Sequence, residues 1–218
     1  MDFEKIFGEI VSYKNEEEAE RMSSYMLNKF KYIGIRTPER RKLFKNSFKE
    51  AKKEGEIDWT FINKCWENEY REIQYVALDY IQTVKDFLTD GDIPKLKKLI
   101  LLKSWWDTVD NLDMVIGGIA LKYPQVNDIL LKWSTDKNIW LRRIAIDHQL
   151  LRKEKTNTEL LEKILENNFG QTEFFINKAI GWALRDYSKT NPDWVRKFIE
   201  KNKDKMAKLS MKEGSKYI

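Results

Sequence analysis

The chain has 218 residues, enough to bury a substantial core, and is predicted to form one domain over residues 1–218. Its 40 Lys and Arg against 35 Asp and Glu give a formal net charge of +5 and an isoelectric point near 9.0, which favours a polyanionic partner. Cys65 is the only cysteine, which excludes an intramolecular disulfide and indicates a reducing, intracellular setting.

The sequence predicts a cytoplasmic protein with no membrane partner. The opening residues Met1–Lys5 include two acids and lack the apolar core of a signal peptide. No apolar run approaches the roughly 20 residues that are needed to span a bilayer.

Nearly every segment of the chain shows the helical period of apolar residues, and typical helix-start signals separate these segments. The start signals are Asn15 before three glutamates, Thr37 before Pro38, Asp58 before an apolar run, and Asn191 before Pro192. No alternation with a period of two is present, so no sheet is expected. The predicted fold class is all-α.

Three of the predicted helices resemble one another, at residues 72–80, 140–148 and 174–182. Their central alanines, Ala77, Ala145 and Ala179, are separated by 68 and then 34 residues, which is two periods and one. Paired helices that repeat with such a period are typical of an α-solenoid, in which stacking buries the apolar stripe of each repeat and leaves an extended concave face. The alternative is an irregular helical bundle in which the likeness is accidental.

The densest cluster of aromatic and acidic residues is Ser104–Asp110, with the sequence SWWDTVD. Ser104 and Asp107 have the spacing of a capping box, which predicts a helix that begins at Trp105. Trp106 and Asp110 are four residues apart and share a helix face, where a ring beside a carboxylate suits a flat, positively charged ligand. The alternative is that the tryptophans anchor the core and the acids complement the helix dipole.

Two further side chains are candidates on the repeated helices. Arg143 lies beside the central Ala145, where it would line the concave face and bind a phosphate in bidentate fashion, unless it forms an ordinary ion pair or a solvated surface. Trp182 lies on the next inner helix, and its alternative role is core packing.

Several enzyme classes are excluded by composition. His148 is the only histidine and Cys65 the only cysteine, so neither a zinc finger nor a histidine-rich metal site can form. The sequence has no nucleophile elbow and no glycine-rich phosphate loop. His148 shares its repeat position with Tyr80 and Trp182, and we predict that it is a packing residue.

Five short motifs occur in a fixed order: GIRTPER at 34–40, KSWWDTVD at 103–110, NIWLRR at 138–143, FFINKAIGWALR at 174–185 and YSKTNP at 187–192. With them the chain resembles the AlkD family of DNA alkylation-repair glycosylases, from about Tyr25 to the C-terminus. The resemblance implies a right-handed superhelix of HEAT-like antiparallel helix pairs, with a basic concave face that cradles double-stranded DNA. It also implies that cationic N-alkylated purines, such as 3-methyladenine and 7-methylguanine, are excised by hydrolysis of the N-glycosidic bond without a metal or nucleotide cofactor.

The resemblance assigns roles to seven residues of this chain. It implies three catalytic residues, which are Trp106, Asp110 and Trp182. It implies four DNA-binding residues, which are Arg143, Arg185, Tyr25 and Arg36. The expected partner is alkylated DNA, bound by a monomer. Two other functions stay open at this point: a DNA-binding solenoid without catalysis, and a helical scaffold for acidic protein segments.

Overall fold

In the computed structural model, which describes all 218 residues, the chain forms thirteen α-helices and no β-strand. The α-helices are α1 (Phe3–Val11), α2 (Glu16–Tyr25), α3 (Thr37–Lys53), α4 (Trp59–Glu67), α5 (Arg71–Val84), α6 (Ile93–Leu101), α7 (Trp106–Lys122), α8 (Val126–Trp133), α9 (Ile139–Asp147), α10 (Thr158–Glu166), α11 (Phe174–Ser188), α12 (Pro192–Asn202) and α13 (Lys208–Gly214). Short 3₁₀-helices occupy Lys85–Phe87, Asp90–Asp92 and Lys153–Lys155. None of the helices has the length and apolar content that crossing a bilayer requires. The predicted all-α class, with helices packed as in an α-solenoid, is confirmed.

The predicted helix starts are mostly correct. The side chains of Asn15, Asp58 and Asn191 each accept a hydrogen bond from a backbone N–H in the first turn of α2, α4 and α12. Thr37 is an exception, because it is the first residue of α3 and the preceding Arg36 occupies the cap position. Helix boundaries of this kind are thus encoded locally, to within one residue.

The chain divides into two compact units, Met1–Leu88 with α1–α5 and Thr89–Ile218 with α6–α13. In the N-terminal unit, α5 packs against α3 and α4. The buried Glu72 carboxylate of α5 accepts hydrogen bonds from the backbone N–H groups of Ile33, Gly34 and Ile35, and so anchors the segment that leads into α3. The single domain over residues 1–218 stays a prediction.

In the C-terminal unit, one set of helices packs in succession: α7 against α9, α9 against α11, and α11 against α13. A second set packs on the first, with α6 on α7 and α9, α8 and α10 on α9, and α12 on α11. Ala145 and Ala179 are fully buried on α9 and α11, as Ala77 is on α5 of the other unit. The alanines that defined the repeat are therefore all core residues of the helices on which they were predicted to lie.

Two glycines allow helices of the first set to approach closely. A Cβ atom at Gly117 of α7 would overlap the backbone carbonyl of His148, at the end of α9. A Cβ atom at Gly181 of α11 would overlap the side chain of Glu213 on α13. Because neither glycine has a side chain, α9 lies directly against α7, and α13 lies directly against α11. These two approaches bring together the side chains of the candidate site.

Candidate functional site

The helix that carries Trp106 and Asp110 begins one residue later than predicted. Helix α7 starts at Trp106, with Trp105 in the cap position and no side-chain capping bond. The predicted capping box is wrong, because the Ser104 hydroxyl donates instead to the carbonyl of Ile100, in the last turn of α6. Trp106 and Asp110 are both half-buried and one helical turn apart, so the predicted shared face is present and partly open to solvent.

Asp110 is held in place by Arg143. The guanidinium of Arg143 donates from Nε to Oδ1 and from Nη2 to Oδ2 of Asp110, both at 2.7 Å, and from Nη1 to the carbonyl of Phe175, also at 2.7 Å. The side chain of Arg143 is 2% exposed and that of Asp110 is 23% exposed. A bidentate, charge-assisted pair of this kind fixes the plane of the carboxylate. Asp110 is thus an oriented anion at the edge of the solvent.

The burial of Arg143 differs from the sequence expectation. We expected an exposed arginine on a concave face, whereas the structure has the alternative, a buried ion pair whose guanidinium is engaged by Asp110 and Phe175. The expected exposure is wrong because the partner carboxylate lies on a neighbouring helix, which sequence spacing did not reveal. A direct phosphate contact by Arg143 stays a prediction and would require this pair to open.

Two more aspartates surround the guanidinium. Asp147 Oδ2 lies 3.8 Å from Arg143 Nε, and one oxygen from each of Asp110, Asp113 and Asp147 lies within 4.8 Å of the others. Burial raises the pKa of Asp147 to about 7, against the lowering effect of Arg143. Burial, with the charges of Asp147 and Asp110, raises the pKa of Asp113 well above its ordinary value. The two buried acids therefore retain protons that an exposed aspartate loses.

The same electrostatics act on Arg143 in the opposite direction. Burial opposes its charged form, but the hydrogen bond to Asp110 and the charges of the three aspartates raise the pKa of Arg143 above its ordinary value. A trio of carboxylates could in principle hold a metal ion. Here the permanent charge of Arg143 already lies among the carboxylates, and a divalent cation placed beside it would be repelled. The donor set suits a guanidinium better than a metal.

Trp182 has three cations against its ring. The guanidinium of Arg143 lies 5.1 Å from the ring centroid, the Lys178 ammonium 5.9 Å, and the Arg185 guanidinium 6.0 Å. Each is within the range of a cation–π interaction. The ring is half-buried, so simple core packing does not describe it fully. Through Arg143, Trp182 is joined to Asp110, and the predicted Asp110, Arg143, Trp182 and Arg185 thus form one cluster.

Glu213 on α13 completes the cluster, and sequence reasoning missed it. Its carboxylate accepts from Lys178 at 2.7 Å and from Arg185 at 2.9 Å. The hydrogen bond from Lys178 lowers the pKa of Glu213, assisted by the charges of Lys178 and Arg185. Helix α13 has only seven residues and no side-chain cap, so it gave no clear start signal. An acid from this helix holds two basic side chains beside Trp182.

The remaining predicted DNA contacts, Tyr25 and Arg36, belong to the N-terminal unit. Tyr25 is the last residue of α2 and is 72% exposed. Arg36 is exposed and donates to both oxygens of Glu18, from Nε at 3.0 Å and from Nη2 at 2.7 Å. Their assignment as DNA contacts stays a prediction.

The prediction that His148 is a packing residue is confirmed. It is buried, and its Nδ1 lies 2.7 Å from the carbonyl oxygen of Ala145, which makes Nδ1 the protonated nitrogen. Burial lowers the pKa of His148 to about 3, and the charge of Arg152 contributes to the shift. The imidazole of His148 is therefore neutral around pH 7.

Comparison with known proteins yields two similarities. Residues 8–218 match the family described as DNA alkylation repair enzyme. A solved structure described as a predicted DNA alkylation repair enzyme from Enterococcus faecalis is 35% identical, with a TM-score of 0.86, and the match covers 94% of this chain and 96% of that one. No curated protein matches the chain.

Proposed function

The chain belongs to the DNA alkylation repair enzyme family, and from that premise we propose that it is a DNA glycosylase for cationic N-alkylated purines such as 3-methyladenine and 7-methylguanine. The observation that carries the proposal is the Asp110 carboxylate. This carboxylate is oriented by two 2.7 Å hydrogen bonds from the buried Arg143. It is half-buried and lies one helical turn from Trp106.

Excision of such a lesion requires no general acid from the protein. An N-alkylated purine already carries a positive charge, so it leaves the sugar without protonation by an acid. The sugar then develops the positive charge of an oxocarbenium ion. A fixed carboxylate near that sugar stabilises the charge and orients the attacking water, which is the role proposed for Asp110.

The aromatic and basic residues of the cluster have complementary roles. Trp106 and Trp182 offer ring faces to the lesion and the sugar–phosphate backbone, with cation–π attraction of about 0.5–2 kcal/mol. Arg185 binds a phosphate beside Trp182, and Tyr25 and Arg36 bind the DNA from the N-terminal unit. This mechanism requires no metal or nucleotide cofactor, and a monomer suffices for it.

Release of free base tests the proposal directly. Duplex DNA that contains 7-methylguanine is incubated with the wild type and with Asp110→Asn, and the free base is quantified after the spontaneous loss is subtracted. We expect Asp110→Asn to lower the rate by roughly 10²–10³-fold, the scale for one preorganised electrostatic group, while DNA affinity is retained. If the wild type does not exceed the spontaneous rate, the proposal is wrong.

The two other functions are distinguished by base release together with measurements of binding to DNA and to acidic peptides. A DNA-binding solenoid without catalysis would bind the duplex in a salt-sensitive manner and release no base. A scaffold for acidic protein segments would bind acidic peptides as well as it binds DNA. The oriented Asp110 favours the enzyme, since neither binding function has use for a carboxylate held at the surface by a buried arginine.

A further inference from the structure

Three carboxylates and one guanidinium meet in the C-terminal unit, and their charges do not balance. If Asp110, Asp113 and Asp147 were all ionised, the cluster would carry two uncompensated negative charges, and two of the acids lie where water does not reach. An ionised carboxylate in such a place costs several kcal/mol unless it is paired and hydrogen-bonded. The cluster must therefore hold protons.

The hydrogen bonding indicates where these protons reside. Asp110 is satisfied by Arg143, but both oxygens of Asp147 and Oδ1 of Asp113 are buried and have no hydrogen-bond partner. Each orphaned oxygen is an acceptor that a proton on the other acid could satisfy after a small rotation. The protons thus belong to Asp113 and Asp147, behind the ion pair, and not to Asp110.

Proton occupancy of the two buried acids determines how much of the charge of Asp110 is available. When both acids are protonated, Arg143 and Asp110 neutralise each other, and a neutral ion pair exerts little attraction on a developing cation. When one proton leaves to solvent, the new carboxylate balances Arg143 from behind. Asp110 then acts as a full anion toward the sugar.

We propose that Asp113 and Asp147 are positioning residues that hold one proton between them in the active state, so that their remaining negative charge offsets Arg143 and leaves Asp110 free to stabilise the reacting sugar. This inference rests on the proposed function, since only base excision gives Asp110 a cation to stabilise. The acids touch neither DNA nor the reacting atoms; they act through Arg143.

The sequence contains an independent sign that these positions are related. Asp79, Asp113 and Asp147 are spaced by 34 residues, which is the repeat period. Asp79, in the N-terminal unit, has two arginines to itself, since its carboxylate accepts from Nε of Arg40 at 2.9 Å and from Nε of Arg41 at 2.8 Å. Asp113 and Asp147 share the single Arg143, which is already engaged by Asp110. The repeat position thus has an excess of cations in the first copy and a shortage of them in the next two.

The charged surroundings of the pair are few. Asp110 acts on it from α7 and Arg143 from α9. His148, next to Asp147, is neutral because burial lowers its pKa to about 3. From α11, Lys178 and Arg185 lie against the Trp182 ring and pair with Glu213. The ionisable residues of α6, α8 and α10, which also pack on α9, are exposed or half-buried. Since the pKa of Asp147 is raised to about 7, this acid ionises in the neutral range.

The excision rate of the wild type should therefore rise with pH through neutrality. Each of Asp113→Asn and Asp147→Asn leaves one ionisable acid and should keep such a rise, with Asp113→Asn closer to the wild type. The double variant has no charge behind Arg143, so its rate should be roughly tenfold lower at alkaline pH and independent of pH, a smaller loss than that of a directly acting group. DNA affinity should be unchanged in all three variants.

Asp79→Asn is the matched control and should keep the wild-type dependence of excision rate on pH. A double variant with the wild-type profile would overturn the proposal.

A second measurement does not depend on catalysis. Infrared difference spectra of protein with isotope-labelled aspartate, recorded between about pH 5 and about pH 9, should show a buried carboxylic acid that loses its proton in this range. The band should be absent from the double variant and present in Asp79→Asn. If the wild type lacks the band, the shared proton does not exist. If the band is present but the wild type releases no base, the proton pair stands and the proposed function fails.

Discussion

Gly117 on α7 lies directly against the backbone carbonyl of His148, at the end of α9. Asp113 precedes the glycine by one helical turn, and Asp147 precedes the histidine by one residue. The close approach at this point therefore brings the two buried aspartates to the same guanidinium. A backbone contact without chemistry of its own sets the geometry of the acidic cluster.

The first prediction concerns this contact. Gly117→Ala places a methyl group where the His148 carbonyl lies, so α7 and α9 must separate. We expect the free energy of unfolding to fall by about 1–3 kcal/mol, as measured by urea denaturation. Gly118→Ala is the matched control, because that position is exposed and has nothing within 4 Å of the added Cβ. The control should be stabilised by about 0.5–1 kcal/mol, since alanine replaces glycine inside a helix. Equal effects at the two positions would contradict the close-approach argument.

The second prediction separates two roles for Arg143. Arg143→Lys keeps the charge but cannot make the bidentate bond to Asp110. If Arg143 orients Asp110, base release should fall by roughly tenfold or more, while DNA affinity and its salt dependence stay as in the wild type. If Arg143 instead binds a phosphate in the complex, Arg143→Ala, which removes the charge, should decrease the slope of log affinity against log salt by about one contact. Arg142→Lys is the control, because Arg142 is the adjacent arginine and bonds Asn168 outside the cluster.

The third prediction concerns Glu213. Its carboxylate accepts hydrogen bonds from Lys178 and Arg185 beside Trp182. A DNA phosphate that binds there would compete with the carboxylate for these two side chains. Glu213→Gln should therefore tighten DNA binding by roughly three- to tenfold at low salt, on the order of 1 kcal/mol. Fluorescence anisotropy with a labelled duplex measures the change. Glu200→Gln alters the net charge equally, but Glu200 is an exposed residue of α12 that pairs with Lys203. Equal tightening in both variants would show that only net charge matters.

The parts of the site that sequence predicted are those encoded by spacing within one helix or by the repeat. Trp106 and Asp110 are four residues apart on α7, and any α-helix through them places both on one face. Trp182 shares its repeat position with His148, and both lie at the ends of segments that the 34-residue period had aligned. These relationships can be predicted without knowing which helices are neighbours in the fold.

The parts that sequence missed depend on contacts between helices. Whether Arg143 is solvated or buried depends on Asp110, a residue 33 positions away. The pairing of Lys178 and Arg185 depends on Glu213, which lies on a short helix with no side-chain cap. Asp113 and Asp147 could have been found from their 34-residue spacing, because two buried acids at one repeat position demand a shared cation or a proton.

The fourth prediction uses the pKa of His148 to test whether water is excluded from the interior around Asp147. Its pKa is about 3 in the folded protein against an ordinary value of 6.5, because burial disfavours the charged imidazolium. The folded state thus binds fewer protons than the unfolded state between these values. The stability that the neutral histidine contributes is present above pH 6.5 and is lost as the pH falls toward about 3, by about 1.4 kcal/mol per unit.

Asp147 acts with the opposite sign in an overlapping range. Its pKa of about 7 lies above the ordinary 3.8, so its contribution to stability is lost as the pH rises through about 7. The wild type alone therefore does not isolate the histidine. His148→Asn does, since the asparagine amide can still donate to the Ala145 carbonyl but cannot be protonated. Urea denaturation from about pH 4.5 to about pH 8 should show the variant gaining stability relative to the wild type as the pH falls. If the stabilities of the variant and the wild type instead change in parallel with pH, water reaches the imidazole. Burial would then not hold a proton on the neighbouring Asp147 either.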